Sequence, residues 1–462
     1  MFGNTCLLGA ANFITKLLSF FTLPLFTAWL SPEAFGTVDI LLTTALLLLP
    51  LTTLHVPEAI FRFLAAGEKA GAVLFSALLL LLLGTGVFLL LSPLLFRLSF
   101  VRPYFFYLLG FLAASAAKSL ITHILRARGR YTAVALGQIF CALLTLLLQI
   151  LFIRFRGLGV TGYLLGVALG DACTAILLVL PVLGHIRGVK FAKNSALFRK
   201  MLGYALPLVP TAALFWGSAT LDRYMLHFYH GAAAVGVFAA ASKLPTLLSF
   251  AIGVFMEAWH YTAARTDTSE RAAVFGRIYR LLLPVGVLAA SGLVLLGEPL
   301  FHLLFAASYK DAIAPLPYLV LSALFSALAG FLGSAYTAAY QSGAALATAA
   351  LGVGVNLLLN VLFIPPFGVL GAALATLFSY LVLFVVRAMH LGRSMRFPTY
   401  AVRLSLSTLS LLGAAAFVGA VPPLSFLLAL SAPLPFAGFL WQGVIFLWRR
   451  ARFFLFSFKK EQ

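Results

Sequence analysis

Six charged side chains, Lys16, Lys118, Asp171, Asp222, Arg223 and Lys243, stand inside long apolar runs of this 462-residue chain. A charge at mid-bilayer costs about 2.5–3.5 kcal/mol on insertion scales, so each is a functional candidate by default. Lys16 falls near the centre of the first run. Helical periodicity places Thr5, Gly9, Asn12, Lys16 and Ser19 on one stripe, a polar face ill suited to lipid. Lys16 and Lys243 read as cavity-lining cations. Lys118 has two readings, an embedded cation or one whose stem snorkels to the interface. Asp171, in the middle of its run, either neutralises one of the lysines or relays protons. Asp222–Arg223 reads as a structural pair near a helix end or as a substrate contact. Amides form a second set: Gln138, Thr145 and Gln149 share one helical face, and Asn356 and Asn360 lie four residues apart. Such amides either bond neighbouring helices or touch a bound sugar or headgroup. Three lysines against one aspartate make a cationic interior that attracts an anion, and phosphate or pyrophosphate suits ammonium donors.

Other chemistries lack their residues. The sequence holds no P-loop, nucleophile triad or metal-ligand spacing, so neither ATP hydrolysis nor any other enzymatic activity is expected, and no cofactor. Cys6, Cys141 and Cys173 lie inside apolar segments without C-x-x-C spacing, which implies neither a disulfide framework nor a metal site.

The elements that must position these residues are membrane helices. Hydrophobic residues make up 63% of the chain, charged residues only 10%, and the mean hydropathy is +1.07. That is far from the ~25% charge of soluble domains. A bilayer core of ~30 Å takes about 20 helical residues. On that measure the spans fall at about 5–29, 38–60, 73–96, 103–125, 133–153, 160–182, 203–226, 234–260, 278–302, 313–337, 345–364, 368–386, 401–420 and 424–447. Nothing alternates with the period of a β-barrel strand. The first run is too long for a signal peptide and lacks a basic flank, so it reads as a retained helix. The net charge of +20 sits mostly in short loops, which points to a membrane face rather than to nucleic acid. With the N-terminus inside, 23 Lys and Arg fall on the cytoplasmic side against five outside, and both termini are cytoplasmic. Arg126, Arg128 and Arg130, then Arg187, Lys190, Lys193, Arg199 and Lys200, and finally Arg449, Arg450 and Arg452 carry much of that bias.

The chain also resembles itself. WLSPEAFGTVDI (29–40) matches YHGAAAVGVFAA (229–240), aligning Gly36 with Gly236, and LFIRFRGLGVTGYLLGVALGD (151–171) matches LFIPPFGVLGAALATLFSY (362–380). The first match joins spans 1–2 to 7–8 and the second joins spans 5–6 to 11–12, so each unit holds six helices. An even number leaves both copies in the same orientation, the parallel-repeat plan of alternating-access transporters. The domains expected are an N-lobe at 1–183, a basic linker at 184–202, a C-lobe at 203–397, and two appended helices with a basic tail at 398–462. Prolines at 24, 50, 57, 207, 210, 245 and 284 place kinks within spans.

Five stretches carry a family resemblance across residues ~5–390: NFITKLLSFFTLPLFTAWLSPEAFGTVDI, LTTLHVPEAIFRF, RARGRY, LDRYML with AVGVFAAASKL, and FGVLGAALATLFSYL. Together they resemble the Wzx-type oligosaccharide flippases of the multidrug/oligosaccharidyl-lipid/polysaccharide (MOP) superfamily, whose fold is MATE- and MurJ-like. The resemblance implies two six-helix bundles around a V-shaped cavity, with two further C-terminal helices. It implies translocation of an undecaprenyl-pyrophosphate-linked oligosaccharide across the bacterial cytoplasmic membrane, for surface polysaccharide assembly. Membrane lipids, a polysaccharide polymerase and glycosyltransferases are the partners that go with it. The basic residue in the first span of such proteins falls here on Lys16. Lipid II flippases of the MurJ type carry several arginines in their first helices, where this chain has Lys16 alone. Drug-exporting relatives rely on membrane carboxylates, and the first span here has none. These two remain the alternative readings.

Overall fold

Hydrocarbon offers the backbone no hydrogen-bond partner, so an apolar run must close its own bonds as a helix. The computed structural model describes residues 2–186, 192–266, 270–339, 341–395, 400–417, 422–439 and 441, and no β-strand occurs among them. Arg187 and Lys190 of the expected linker, and Arg449, Arg450 and Arg452 of the tail, lie outside the described residues.

The chain divides into two compact units, Met1–Gly236 and Val237–Gln462. In the first, α1 (Phe2–Phe21) and α2 (Leu23–Trp29) make one span, interrupted at Thr22 just before Pro24. Next come α3 (Pro32–Thr53), α4 (Val56–Ala65), α5 (Ala70–Phe96), α6 (Phe105–Ala127), α7 (Tyr131–Gln149) and α8 (Gly159–Ile186). Helix α7 runs on into a π-helical turn at Ile150–Phe155. The seventh span was expected from residue 203. Instead residues Ser195–Ala205 form a separate short helix, α9, whose first turn is capped by Asn194 accepting from the Leu197 amide at 3.0 Å. The span itself begins in α10 (Leu208–Arg265), after Pro207.

Helix α10 is two helices joined at Gly231, whose φ of 79° glycine adopts without a Cβ penalty. The second unit continues with α11 (Arg271–Leu304), α12 (Leu316–Ala338), α13 (Ser342–Met395), α14 (Ala401–Phe417) and α15 (Pro422–Ser431). Helix α13 is likewise double, joined at Gly368 with φ 54°. Ten helical stretches are long and apolar enough to cross a membrane, and two of these, Thr220–Met256 and Gly343–Arg393, pass through the glycine joints and carry two spans each. With the shorter apolar helices Val402–Ala416 and Leu424–Phe439, the described residues account for the fourteen expected helices.

The repeat has a physical counterpart. Inside the first unit, a Cβ on Gly36 would strike the Ala232 carbonyl oxygen and lie 2.5 Å from the Gly236 nitrogen. A Cβ on Gly236 would strike the Pro32 carbonyl oxygen and lie 3.0 Å from the Gly36 nitrogen. Pro32 and Ala232, like Gly36 and Gly236, are 200 positions apart, so each contact is the image of the other. The second repeat behaves the same way within each unit. Gly162 opens α8 with its Cβ position 3.0 Å from Phe152 Cβ, and Gly371 opens the last part of α13 with its Cβ position 2.5 Å from the Phe363 carbonyl carbon.

Span 2 is broken in an unusual way. Between α3 and α4, Leu54 (φ 46°, ψ 36°) and His55 (φ 51°, ψ 26°) are consecutive left-handed residues, and neither is glycine. Each costs roughly 1–2 kcal/mol. Surrounding packing holds the break: Leu54 is buried, and Gly84 of α5 leaves space for it, since a Cβ there would sit 2.7 Å from the Thr52 oxygen and 2.8 Å from Leu54 Cγ.

Gly36→Ala and Gly236→Ala each add a methyl against backbone, an overpacking cost of about 1–3 kcal/mol. Both substitutions are expected to lower the melting temperature in detergent by several degrees, whereas Gly9→Ala, with open space around it, leaves that temperature unchanged.

Candidate functional site

Apart from Lys16, the embedded charges of the first unit fall into two pairing clusters. In the first, the Lys118 ammonium on α6 contacts the Asp171 carboxylate on α8 directly. The Ser115 hydroxyl, one turn before Lys118, donates to the other carboxylate oxygen. Cys141 of α7 completes the set, its thiol 3.3 Å from Asp171 Oδ1 and 3.6 Å from Lys118 Nζ. Asp171 is only 4% exposed, so its charge depends on these partners. The arrangement supports the charge-neutralising reading of Asp171 and gives Lys118 a buried partner instead of a snorkelling role.

The second cluster gathers Asp222 and Arg223 of α10 with Asp39 of α3. Arg223 Nε donates to Asp39 Oδ2 at 2.7 Å and Nη1 to Asp222 Oδ1 at 3.3 Å, while the Arg223 amide donates to the same Asp222 oxygen at 2.8 Å. A little over one turn along α3, Thr44 Oγ1 lies 2.9 Å from the Tyr224 hydroxyl. One guanidinium held between two carboxylates ties α3 to α10, which is the structural reading of Asp222–Arg223. Asp39 escaped the sequence reading because it lies at the start of its span, where a charge is unremarkable. Its spacing from Glu33 and its place within Pro32–Thr53 were the available signals.

Lys16 stands elsewhere. Helix α1 packs on α7 through the face marked by buried Ala11 and half-buried Thr15 and Leu18, while Asn12, Lys16 and Ser19 are exposed on its other side. Asp171 is taken up by Lys118, Ser115 and Cys141, so it does not neutralise Lys16. Gln149 is an interhelical amide: it is 4% exposed, hydrogen-bonds Tyr163 of α8, and a Cβ on Gly166 would lie 2.6 Å from its Cγ. Gln138 is half-buried, with a buried Oε1 that has no partner among the described residues.

In the second unit Lys243 is half-buried on α10. On α13 the Asn360 amide donates to Asn356 Oδ1 at 3.0 Å. Asn360 is fully buried and its own Oδ1 has no partner among the described residues. One further cation, Arg387, lies just past the expected end of span 12, where sequence alone gives no sign of burial. It is 9% exposed, with Nη1 donating to the Ala329 carbonyl at 2.7 Å and Nε to Thr348 Oγ1 at 3.1 Å. No carboxylate contacts it among the described residues. Gly333 makes room, since a Cβ there would lie 2.5 Å from Nη1. Arg387 thus staples α12 to both parts of α13. Among the described residues no group of three His, Cys, Asp or Glu is placed to hold a metal ion.

The duplicated helical bundle, spanning a membrane many times and carrying embedded charges, defines a polytopic membrane protein with a transporter fold. Residues 2–260 match the family of polysaccharide biosynthesis proteins, more than half of the chain, and the protein belongs to that family. Similar solved structures agree on the fold. Lipid II flippase MurJ, in an inward closed conformation, is 15% identical, with 95% of this chain and 100% of that one covered at a TM-score of 0.72. A multidrug resistance MATE family transporter of the MOP superfamily, inward-facing, is 17% identical, covering 82% of this chain and 95% of its own at a TM-score of 0.61. A MOP superfamily transporter from Pyrococcus furiosus is 17% identical over 85% of this chain and 94% of that one, with a TM-score of 0.56. No curated protein matches the sequence.

Removing one member of a buried pair leaves its partner's charge uncompensated, at a cost of about 3–5 kcal/mol, whereas an apolar replacement of both is close to neutral. Asp171→Asn alone is therefore expected to lower thermal stability sharply. Lys118→Met combined with Asp171→Leu should recover most of the loss, as read by melting of the purified protein in detergent.

Proposed function

We propose that this protein is a Wzx-type flippase, which carries an undecaprenyl-pyrophosphate-linked oligosaccharide from the inner to the outer leaflet of the bacterial cytoplasmic membrane by alternating access. The observation that carries the reading is an exposed lysine, Lys16, on a helix within the membrane-spanning region of a polysaccharide biosynthesis family member. Lys16, and with it Lys243, half-buried on α10, are the cations assigned to the substrate, each donating ammonium hydrogen bonds to pyrophosphate oxygens. Asn12, one turn from Lys16, adds a neutral donor and acceptor for the first sugars.

In this reading residues 1–183 and 203–397 act as the two transport lobes, and 398–462 forms an appended helical pair with a basic tail. Both termini are cytoplasmic, as the 23-to-5 distribution of basic residues favours. The glycosyltransferases that build the substrate and the polymerase that consumes it are its expected partners. Gln149 serves to join α7 to α8, while Asn356 and Asn360 bond each other within α13.

A lipid II flippase is the second reading, favoured by a fold shared with MurJ over nearly the whole chain. Rescue of cells depleted of their own lipid II flippase would select it.

Replacing Lys16 with Ala removes a charge-assisted contact worth about 1.5–3 kcal/mol, so surface polysaccharide should fall ~10-fold or more at unchanged protein level. Lys16→Arg should retain most of it, and Lys243→Ala should act in the same direction as Lys16→Ala. Quantitative immunoblotting of polysaccharide and protein from the same cells checks this, and unaltered polysaccharide in Lys16→Ala would refute the assignment.

A further inference from the structure

At one end of the second unit three helices leave a groove. Helix α11 ends at Leu304, α12 begins at Leu316 and α15 begins at Pro422, and a cavity of about 380 Å³ opens where these ends meet. The 23-to-5 bias of basic residues favours this end as the outer one. Val294, Leu295, Pro299, Ile313, Leu316 and Phe426 make its walls apolar. A Cβ on Gly297 would lie 2.5 Å from Leu316 Cδ2, so α11 and α12 approach closely at this level. Exposed Leu296 and Leu303 on α11, with Phe426, Leu427 and Leu430 on α15, flank the groove, which therefore opens toward hydrocarbon.

Two polar side chains stand at its mouth. Glu298 lies one turn along α11 from Val294 and Leu295, and His302 one turn further, so apolar wall gives way to polar rim along one helix face. The Glu298 side chain is 47% exposed and that of His302 62%, and Glu298 Oε1 is 3.9 Å from His302 Nε2, too far for a hydrogen bond. Neither side chain is hydrogen-bonded elsewhere among the described residues. The other polar group of the lining, the Ser425 hydroxyl, is already used, donating to the Ala414 carbonyl at 2.9 Å. The groove thus ends in a carboxylate and an imidazole that approach each other without bonding, which leaves both open to a third group.

We propose that this groove binds a phospholipid with a primary-amine headgroup, of the phosphatidylethanolamine class. The lipid ammonium donates to the Glu298 carboxylate, the His302 imidazole donates to the lipid phosphate, and the upper acyl chain lies along Val294, Leu295 and Phe426. Charge selects the headgroup. A net-anionic headgroup such as phosphatidylglycerol brings its phosphate to the carboxylate with no ammonium to offset it. A choline headgroup carries a cation but has no N–H to donate. Burial of the chain is common to all three lipids, so the headgroup contact sets the preference among them. The proposal uses neither Lys16 nor Lys243 and does not depend on which substrate the protein moves.

Native mass spectrometry of the full-length, delipidated protein tests this, with phosphatidylethanolamine, phosphatidylglycerol and phosphatidylcholine of the same acyl chains as probes. The first lipid bound should favour phosphatidylethanolamine by at least ~3-fold in Kd, the size expected of a half-exposed charge contact. Glu298→Gln should bring the three lipids close to parity. Asp311→Asn alters a carboxylate exposed on the turn between α11 and α12 but outside the groove, and should leave the preference intact. Leu295→Trp fills the groove and should weaken the first site for all three lipids. The proposal is overturned if the wild-type protein shows no preference for phosphatidylethanolamine, or if the preference survives Glu298→Gln or is lost in Asp311→Asn. Unchanged binding by Leu295→Trp places the lipid elsewhere and overturns it equally. Should Leu295→Trp fail to fold, the comparison of Glu298→Gln with Asp311→Asn decides the matter, since both of those side chains are exposed.

Discussion

Hydrocarbon can neither solvate a charge nor hydrogen-bond a peptide group, and this one constraint organises the molecule. It forces the backbone into helices, and it forces each buried charge to find a partner inside the protein. The first unit answers with opposite charges, Lys118 against Asp171 and Arg223 between Asp39 and Asp222. The second unit answers differently for Arg387, which is held by a carbonyl and a hydroxyl on neighbouring helices. Both answers join helices distant in sequence, so the polar residues act as registration points for spans whose apolar surfaces alone would slide.

Close packing follows from the same constraint. Lipid is as apolar as leucine, so membrane helices gain by approaching closely, and small residues permit that approach. Gly36 with Gly236, Gly162 on Phe152, and Gly371 on Phe363 are such approaches, and they occupy matched positions of the sequence repeat. Duplication thus preserved backbone contacts while the polar residues diverged. Thr145 and Gln149 of one copy align with Asn356 and Asn360 of the other, amide and hydroxyl groups at the same helical spacing. The second copy has no counterpart of the Lys118–Asp171 pair at the corresponding positions of its last helix, where the repeat aligns Asp171 with Tyr380.

Helix number and repeat register were legible in the sequence because both rest on local signals, hydropathy over about 20 residues and glycine spacing. The existence of embedded charges was legible for the same reason. Their partners were not: Lys118 and Asp171 lie 53 residues apart, and Arg223 and Asp39 lie 184 apart. No periodicity relates such positions, so the sequence could offer only the alternatives of neutralisation and proton relay for Asp171. Asp39 and Arg387 are harder to read because a charge near the end of an apolar run looks interfacial, whereas tertiary packing buries Arg387 and half-buries Asp39. The break at Leu54 and His55 was hidden too. Proline at position 57 signals a new helix start, but no local preference announces two left-handed residues without glycine.

That last feature shows where stability has been given up. A continuous helix through residues 53–56 would satisfy more backbone bonds with less strain, and Gly84 is present only if the interruption is to fit. That strain is sustained by packing rather than by local preference, since Leu54 is buried and Gly84 admits it. The charge clusters have the opposite character, because opening either leaves a charge uncompensated in a poor solvent. Registration at the ion pairs and strain at the Leu54–His55 break are thus complementary. The former ties spans to one another, and the latter fixes where α3 ends and α4 begins.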